Sequence, residues 1–257
     1  MIVKTESIVL NSFKYGETSK IVTLFTKDFG KIKVIAKGSR KTRNKFGSSL
    51  EPLSYCQVCF YRKPNTELYL LSDASHIIPL RKLQDSYNHL ASGLIIAEAI
   101  NITQDINEIN TELFELSMES IKQLNELPEY PFSLTVYYLN RLTEIIGFAI
   151  DFQTFPKEII ASIPYSNGGI KTEKKVFFSI ETGSFLVDKT EKNIFIFDRK
   201  TANNFYQAVN VPLNTSGKIS IDKLSIVKIH DFFNMYISFH LEKKNAFKTM
   251  RLIKTIS

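Results

Sequence analysis

The feature that most limits how this chain can fold is a change of hydrophobic period near residue 83. Before it, short β-rich segments alternate with turn signals. Ser7–Leu10 is followed by Tyr15-Gly16-Glu17, and Lys20–Thr26 by Lys27-Asp28-Phe29-Gly30. Lys31–Ala36 precedes Gly38-Ser39, Leu53–Arg62 precedes Lys63-Pro64-Asn65, and Glu67–Leu71 closes the set. Five strands at this spacing predict a closed or nearly closed antiparallel barrel. No helix of useful length separates most of them, which argues against a parallel α/β sheet.

After residue 83 the period becomes helical. Leu83, Tyr87, Leu90, Leu94 and Ala97 share one stripe, and Leu113, Leu116, Ser120, Leu124 and Leu127 a second. Asn110 or Thr111 is the expected cap of that second helix. Pro131 stands where a third helix would begin and Gly147 where it would end, with Leu134, Tyr138, Leu142 and Ile145 on its inner face. Three such helices with short links make a small bundle, and their stripes read as core. The last third is mixed. A loop at Pro164, Asn167, Gly168 and Gly169 leads to two Phe-rich strands, Val176–Ile180 and Ile194–Phe197. A final helix follows Asp222, with Leu224, Ile229, Phe233, Tyr236 and His240 at helical spacing.

Charge divides the chain along the same lines. The 257 residues carry a formal +7. Residues 1–83 hold 15 basic and 6 acidic side chains, residues 84–156 hold 2 and 11, and residues 157–257 hold 16 and 9. Asymmetry of this size points to regions with different partners. An acidic middle is also what a solvated helical face looks like, so both readings stand there.

Chemistry concentrates on the third strand. Ile32, Val34 and Ala36 share one face of it, and Lys31, Lys33 and Lys37 the other, with Ile35 among them. Arg40, Lys41, Arg43 and Lys45 follow, so seven basic residues and no acid lie between Asp28 and Glu51. A flexible basic loop on a small barrel would track a nucleic-acid backbone through phosphates, with strongly salt-dependent binding. Phe46 ends the run and would either stack on a base or anchor the loop in the core. A merely soluble exposed face is the bland alternative. The basic ending (Lys243, Lys244, Lys248, Arg251, Lys254) is either a second phosphate contact or a set of cations near a helix C-terminus.

Catalytic patterns are absent from the sequence: no P-loop, no dinucleotide glycine fingerprint and no nucleophile elbow. His76, His89, His230 and His240 are scattered and read as surface or packing residues. Cys56 and Cys59 have knuckle spacing, but they fall on opposite faces of a strand and have no second ligand pair. Neither a cofactor nor a metal is expected. The apolar runs are too short to span a bilayer, and the N-terminus lacks a signal-peptide pattern. With only two cysteines, the chain is expected in a reducing cytoplasm.

The opening Lys4-Thr5-Glu6-Ser7-Ile8-Val9-Leu10 and Tyr15-Gly16-Glu17-Thr18-Ser19-Lys20-Ile21-Val22 resemble the RecO family of bacterial DNA repair proteins. The likeness runs on through Leu24-Phe25-Thr26, Gly30-Lys31, Ala36-Lys37-Gly38, Phe46-Gly47, Leu50, Pro52 and Leu53. Glu112-Leu113-Phe114-Glu115-Leu116 and Ile146-Gly147-Phe148 also fit, while the stretch from Asp151 to Ile221 fits weakly. The resemblance implies an α+β multidomain protein: an N-terminal OB-fold β-barrel, then a helical domain holding a small β-containing insert. The expected divisions are 1–80 for the barrel, 81–155 for the first helical part, 156–221 for the insert and 222–257 for the closing helix.

It further implies a recombination mediator rather than an enzyme. Such a protein binds single- and double-stranded DNA and anneals complementary strands. It works with RecR, and often RecF, to load RecA onto strands coated by the single-stranded-DNA-binding protein, SSB. A cytoplasmic, nucleoid-associated location goes with that role, with no membrane and no small-molecule substrate. Many members carry four cysteines for zinc, in a zinc-ribbon-like position after the Gly-Phe that matches Gly147-Phe148. Here no cysteine follows Cys59, so packing of Phe177, Phe178, Phe185, Phe195 and Phe197 is expected to hold the insert. The DNA path is expected over Lys31, Lys33, Lys37, Arg40, Lys41, Arg43, Lys45 and Phe46. An RNA-binding OB-fold module and a protein adaptor that never touches nucleic acid are the alternatives.

Overall fold

The computed structural model describes residues 1–64, 66–127, 131–160, 175–189 and 191–254. Packing divides the chain into two units, Met1–Glu126 and Leu127–Ser257.

In the first unit, β1 (Ile2–Tyr15), β2 (Ser19–Thr26), β3 (Gly30–Ala36), β4 (Tyr55–Tyr61) and β5 (Leu68–His76) close into a barrel. The strand order is β1-β2-β3-β5-β4, with β3 and β5 parallel and the other pairs antiparallel. This is the OB-like barrel the resemblance implied, and its parallel β3–β5 pair departs from the all-antiparallel barrel that the strand spacing predicts. The first strand is longer than its apolar pattern suggests. A register shift between Val9 and Asn11 lets its first half pair with β4 and its second half with β2. Val3, Val9, Val22, Leu24, Ile32, Val34, Val58 and Phe60 fill the interior.

Three helices complete this unit: α1 (Arg81–Asp85), α2 (Tyr87–Thr103) and α3 (Thr111–Glu126). Asn110 caps α3, its side-chain oxygen accepting from the Leu113 N–H at 2.9 Å. The first helical stripe differs from expectation. The helix breaks at Ser86, and Tyr87 and Leu90 face outward at 50% and 37% exposure. Ala91, Ile95, Ile96, Ala99 and Ile100 are buried instead. Gly93 explains part of this burial, because a Cβ there would lie 2.6 Å from the Leu53 side chain. Gly30 (φ 65°) has a similar reason. A Cβ at that position would sit 1.9 Å from the carbonyl oxygen of Glu108, in the α2–α3 link.

The second unit begins with α4 (Pro131–Ile145), terminated as expected by Gly147 at φ 87°. A single 3-10 turn at Phe152–Thr154 and α5 (Lys157–Ile160) follow. The loop expected at Pro164–Gly169 lies outside the described residues. Strands β6 (Lys175–Ser179), β7 (Phe185–Leu186) and β8 (Ile194–Asp198) form a small antiparallel sheet in the order β7-β6-β8. Then come α6 (Arg199–Val209), α7 (Leu213–Ser216), α8 (Lys223–His240) and α9 (Arg251–Lys254).

Asp198 and Asp222 cap α6 and α8, accepting from the Thr201 and Ser225 N–H groups. Leu224, expected on the inner stripe of α8, is 82% exposed because it lies in the first turn, beside the cap. The core is aromatic. Phe232 makes ring contacts with Phe178, Phe195, Phe197, Phe205, Phe233 and Tyr236 at centroid distances of 5.0–5.6 Å. Phe185 joins through Phe178 at 5.0 Å.

Candidate nucleic-acid interface

The basic run leaves β3 and turns across the end of the barrel before β4 begins. It is pinned along its length rather than flexible. The Ser39 hydroxyl donates to the Ala36 carbonyl at 2.8 Å, and the Asn44 side chain accepts from the N–H groups of Phe46 and Gly47. The Arg40 N–H donates to the Thr18 carbonyl, and its guanidinium to the Gly16 carbonyl at 2.9 Å. These two bonds tie the loop to the β1–β2 turn. Lys20 and Glu51 form an ion pair at 2.8 Å, which engages the acid that closes the run. The Cys56 thiol donates to the Ser49 carbonyl from inside the barrel, and burial pushes its pKa up to about 12. Cys59 is half-buried on the opposite face.

This scaffold holds most of the predicted cations in water. Lys33, Lys37, Arg40, Lys41, Arg43 and Lys45 are all exposed. Lys37, Lys41, Arg43 and Lys45 form no ion pair among the described residues. Their charge therefore faces solvent uncompensated by neighbouring carboxylates.

Two of the eight expected residues lie elsewhere. Lys31 points outward from β3, as its register requires, but the end of α2 covers it. It is 8% exposed, and its ammonium donates to the Asn101 carbonyl at 2.7 Å. A cation at a helix C-terminus satisfies one of the carbonyls the helix leaves open, so Lys31 is a structural pin. Phe46 is 2% exposed and sits among the barrel's core side chains, anchoring the loop. The Lys45 ammonium lies 5.2 Å from its ring centroid. A strand's alternation gives the face of a side chain, and only packing against α2 shows that this part of the face is covered.

Other cations near the barrel were not singled out by sequence reasoning. Lys14 is exposed on β1 beside Lys20. Arg62 and Lys63 leave β4 and line a cavity of about 680 Å³ with Met1, Thr66, Tyr69 and Asn107. Isolated in sequence, none of these stands out as a run does. Their positions next to turns of an OB-like barrel are the available signal.

The described residues assemble no cluster of three or more His, Cys, Asp or Glu side chains suited to a metal. No cysteine follows Gly147-Phe148, and the aromatic core occupies that part of the fold, so these residues do not fit a zinc site. His89 and His230 are buried in hydrogen bonds to Ser86 and to Thr135, and His240 stacks on Phe148 at 4.5 Å. Among the described residues, no helix is long and apolar enough to cross a membrane.

Comparison with known proteins places the barrel in a family. Residues 1–79 match the family described as Recombination protein O N terminal. A DNA repair protein RecO from Salinibacter ruber is 37% identical over 148 residues, covering 58% of this chain and 57% of that protein. One from Chloroherpeton thalassium is 26% identical over 260 residues, covering 100% of this chain and 99% of that protein. A third, from Thermodesulfovibrio yellowstonii, is 34% identical over 177 residues, covering 66% and 68%. These matches, with the OB-like barrel, lead to one conclusion: the chain belongs to the RecO family of DNA repair proteins.

Proposed function

We propose that this protein is a recombination mediator that holds DNA on the barrel end, anneals complementary strands and helps load RecA. The observation that carries the reading is the pinned, acid-free loop that keeps Lys37, Arg40, Lys41, Arg43 and Lys45 in solvent. Cations in that arrangement neutralise phosphates on any sequence and on either strand form. Annealing then needs only that two strands be brought together without mutual repulsion, because base pairing itself supplies the sequence check. No bond-making step is required of the protein.

In this reading RecR, with RecF where it is used, is the partner of the acidic surface of the first unit. Asp105, Glu108, Glu112 and Glu115 are exposed there and would repel DNA. In the same reading SSB docks on the basic C-terminal third, where a groove of about 340 Å³, lined in part by Asp231, lies beside α8. Met235 and Phe239 are 41% and 43% exposed in it, with Lys243 and Lys244 at its edge. Annealing of SSB-coated complementary strands across a salt series, with and without RecR, tests the whole reading. Annealing at low salt that fades as salt rises is expected. No annealing at low salt, with or without RecR, would remove the central claim.

A further inference from the structure

Strand register places an apolar band around the outside of the barrel. Phe13 pairs with Ile21, Ile21 with Ile35, Ile35 with Leu70, Leu70 with Tyr61, and Tyr61 with Ile2. Directly opposed side chains on one face lie side by side, so these six form a continuous row across neighbouring strands. Helices leave the row open. Phe13 is 62% exposed, Ile2 58%, Tyr61 39% and Leu70 37%, while Ile21 and Ile35 are half-buried. Tyr15, two residues beyond Phe13 on the same face, is 52% exposed. Unmatched apolar surface of this extent on a barrel marks a contact site.

The charges beside the row identify its occupant. Lys33, on the same face of β3, and Lys37, just past its end, flank Ile35, each two residues away and exposed. The Arg40 guanidinium sits on the Gly16 carbonyl, next in sequence to Tyr15. The outward positions of β2 and β3 are Ser19, Ile21, Thr23 and Phe25, then Lys31, Lys33 and Ile35, with no acid among them. An apolar and aromatic row edged by cations is complementary to one strand of nucleic acid with its bases unpaired. Rings take the base faces and cations take the phosphates. A duplex keeps its bases stacked inside and offers this row nothing.

We infer that Phe13 and Tyr61 stack on unpaired bases, with the aliphatic side chains between them as apolar contact surface and Lys33 and Lys37 holding the adjoining phosphates. This rests on the reading that the barrel binds nucleic acid. It adds a basis for telling single strands from duplexes, which the basic loop alone lacks.

The chain has no tryptophan, so Phe13→Trp introduces a sole tryptophan into the row, whose emission can be excited apart from that of tyrosine. Titrating the full-length variant with oligothymidylate should quench its emission to saturation, and a blunt duplex should leave it nearly unchanged. In anisotropy titrations, Phe13→Ala with Tyr61→Ala should weaken oligothymidylate binding about 10- to 100-fold. The salt slope and the duplex affinity should stay as in the parent protein. Phe13→Leu should bind as weakly as Phe13→Ala, since an aliphatic group cannot stack. Native single-strand affinity in the double variant or in Phe13→Leu would overturn the platform. So would unchanged DNA binding together with loss of self-association in size-exclusion chromatography, which would make the row a protein contact. Lys33→Ala with Lys37→Ala separates the platform from the phosphate contacts. If it flattens the salt slope while the ring variants do nothing, the barrel still binds nucleic acid and only the platform fails. If neither set changes binding, the underlying reading fails as well.

Discussion

The two units divide their aromatic side chains differently: the barrel unit buries Phe25, Phe46, Phe60 and Phe114 but leaves others in solvent, whereas the second unit gathers most of its rings in one core. The barrel interior is mainly aliphatic, built on Val9, Val22, Leu24, Ile32 and Val34, and it leaves Phe13, Tyr15 and Tyr61 in solvent. The second unit buries Phe178, Phe197, Phe205, Phe232 and Phe233 completely and packs ring against ring. The same residue type is both core and exposed surface in the first unit, and mainly core in the second. Aromatic content alone therefore says little about function. What differs is company: Lys33 and Lys37 lie near the exposed rings of the barrel, and other rings surround Phe232 in the second unit.

The largest effect should come from breaking the second core. Phe232→Ala removes a fully buried ring that touches six others, at a cost of about 3–5 kcal/mol in chemical denaturation. By contrast, Phe13→Ala should stay within about 0.5 kcal/mol of the parent protein. If the two variants lose similar stability, the division into core rings and surface rings is wrong.

Acid should also act on the second unit. His230 is fully buried, with one ring nitrogen 2.8 Å from the Thr135 hydroxyl and the other 2.8 Å from the Ile226 carbonyl. Burial pushes its pKa down from 6.5 to about 4. The folded value lies below the unfolded one, so the unfolded chain takes up the proton first. Stability is therefore lost as pH falls from about 6.5 toward 4, by on the order of 3 kcal/mol in all. Melting curves from pH 7 to 4.5 should show this loss, and His230→Gln should flatten it. An equally steep acid limb in the variant would assign the loss to other groups.

A smaller loss than either of these belongs to a buried cation of the barrel. Lys31→Met takes the donor from the Asn101 carbonyl and should cost about 1–3 kcal/mol, with DNA affinity and its salt slope unchanged. Lys33→Met, two residues along the same strand, should do the reverse. A salt-slope change in the Lys31 variant would return that residue to the DNA path.

How much of this was legible in the sequence depends on how local the signal was. The turns after Tyr15, at Lys27–Gly30 and at Gly38, the caps Asn110 and Asp222, and the ends of α4 at Pro131 and Gly147 are local, and they were readable. The 14-residue length of β1 was not, because a bulge lets one strand serve two partners whose apolar patterns differ. Helix α6 went unread, although Asp198 is a cap and Ala202, Phe205 and Ala208 recur at helical spacing. Its many polar residues masked that stripe. At the site, the six exposed cations were readable as an acid-free run. The cover over Lys31, the burial of Phe46 and the row from Phe13 to Ile2 depend on residues distant in sequence. Only strand register and packing bring these together.

The central claim is that the pinned basic loop carries the DNA through phosphate contacts. It is tested most directly by the salt dependence of single-strand binding in the parent protein and in an Arg40→Glu, Lys41→Glu, Arg43→Glu variant. Circular dichroism of the variant checks that it remains folded. Loss of three phosphate contacts should weaken binding at low salt and flatten the plot of log affinity against log salt by about 2. An unchanged affinity with an unchanged slope would contradict the account.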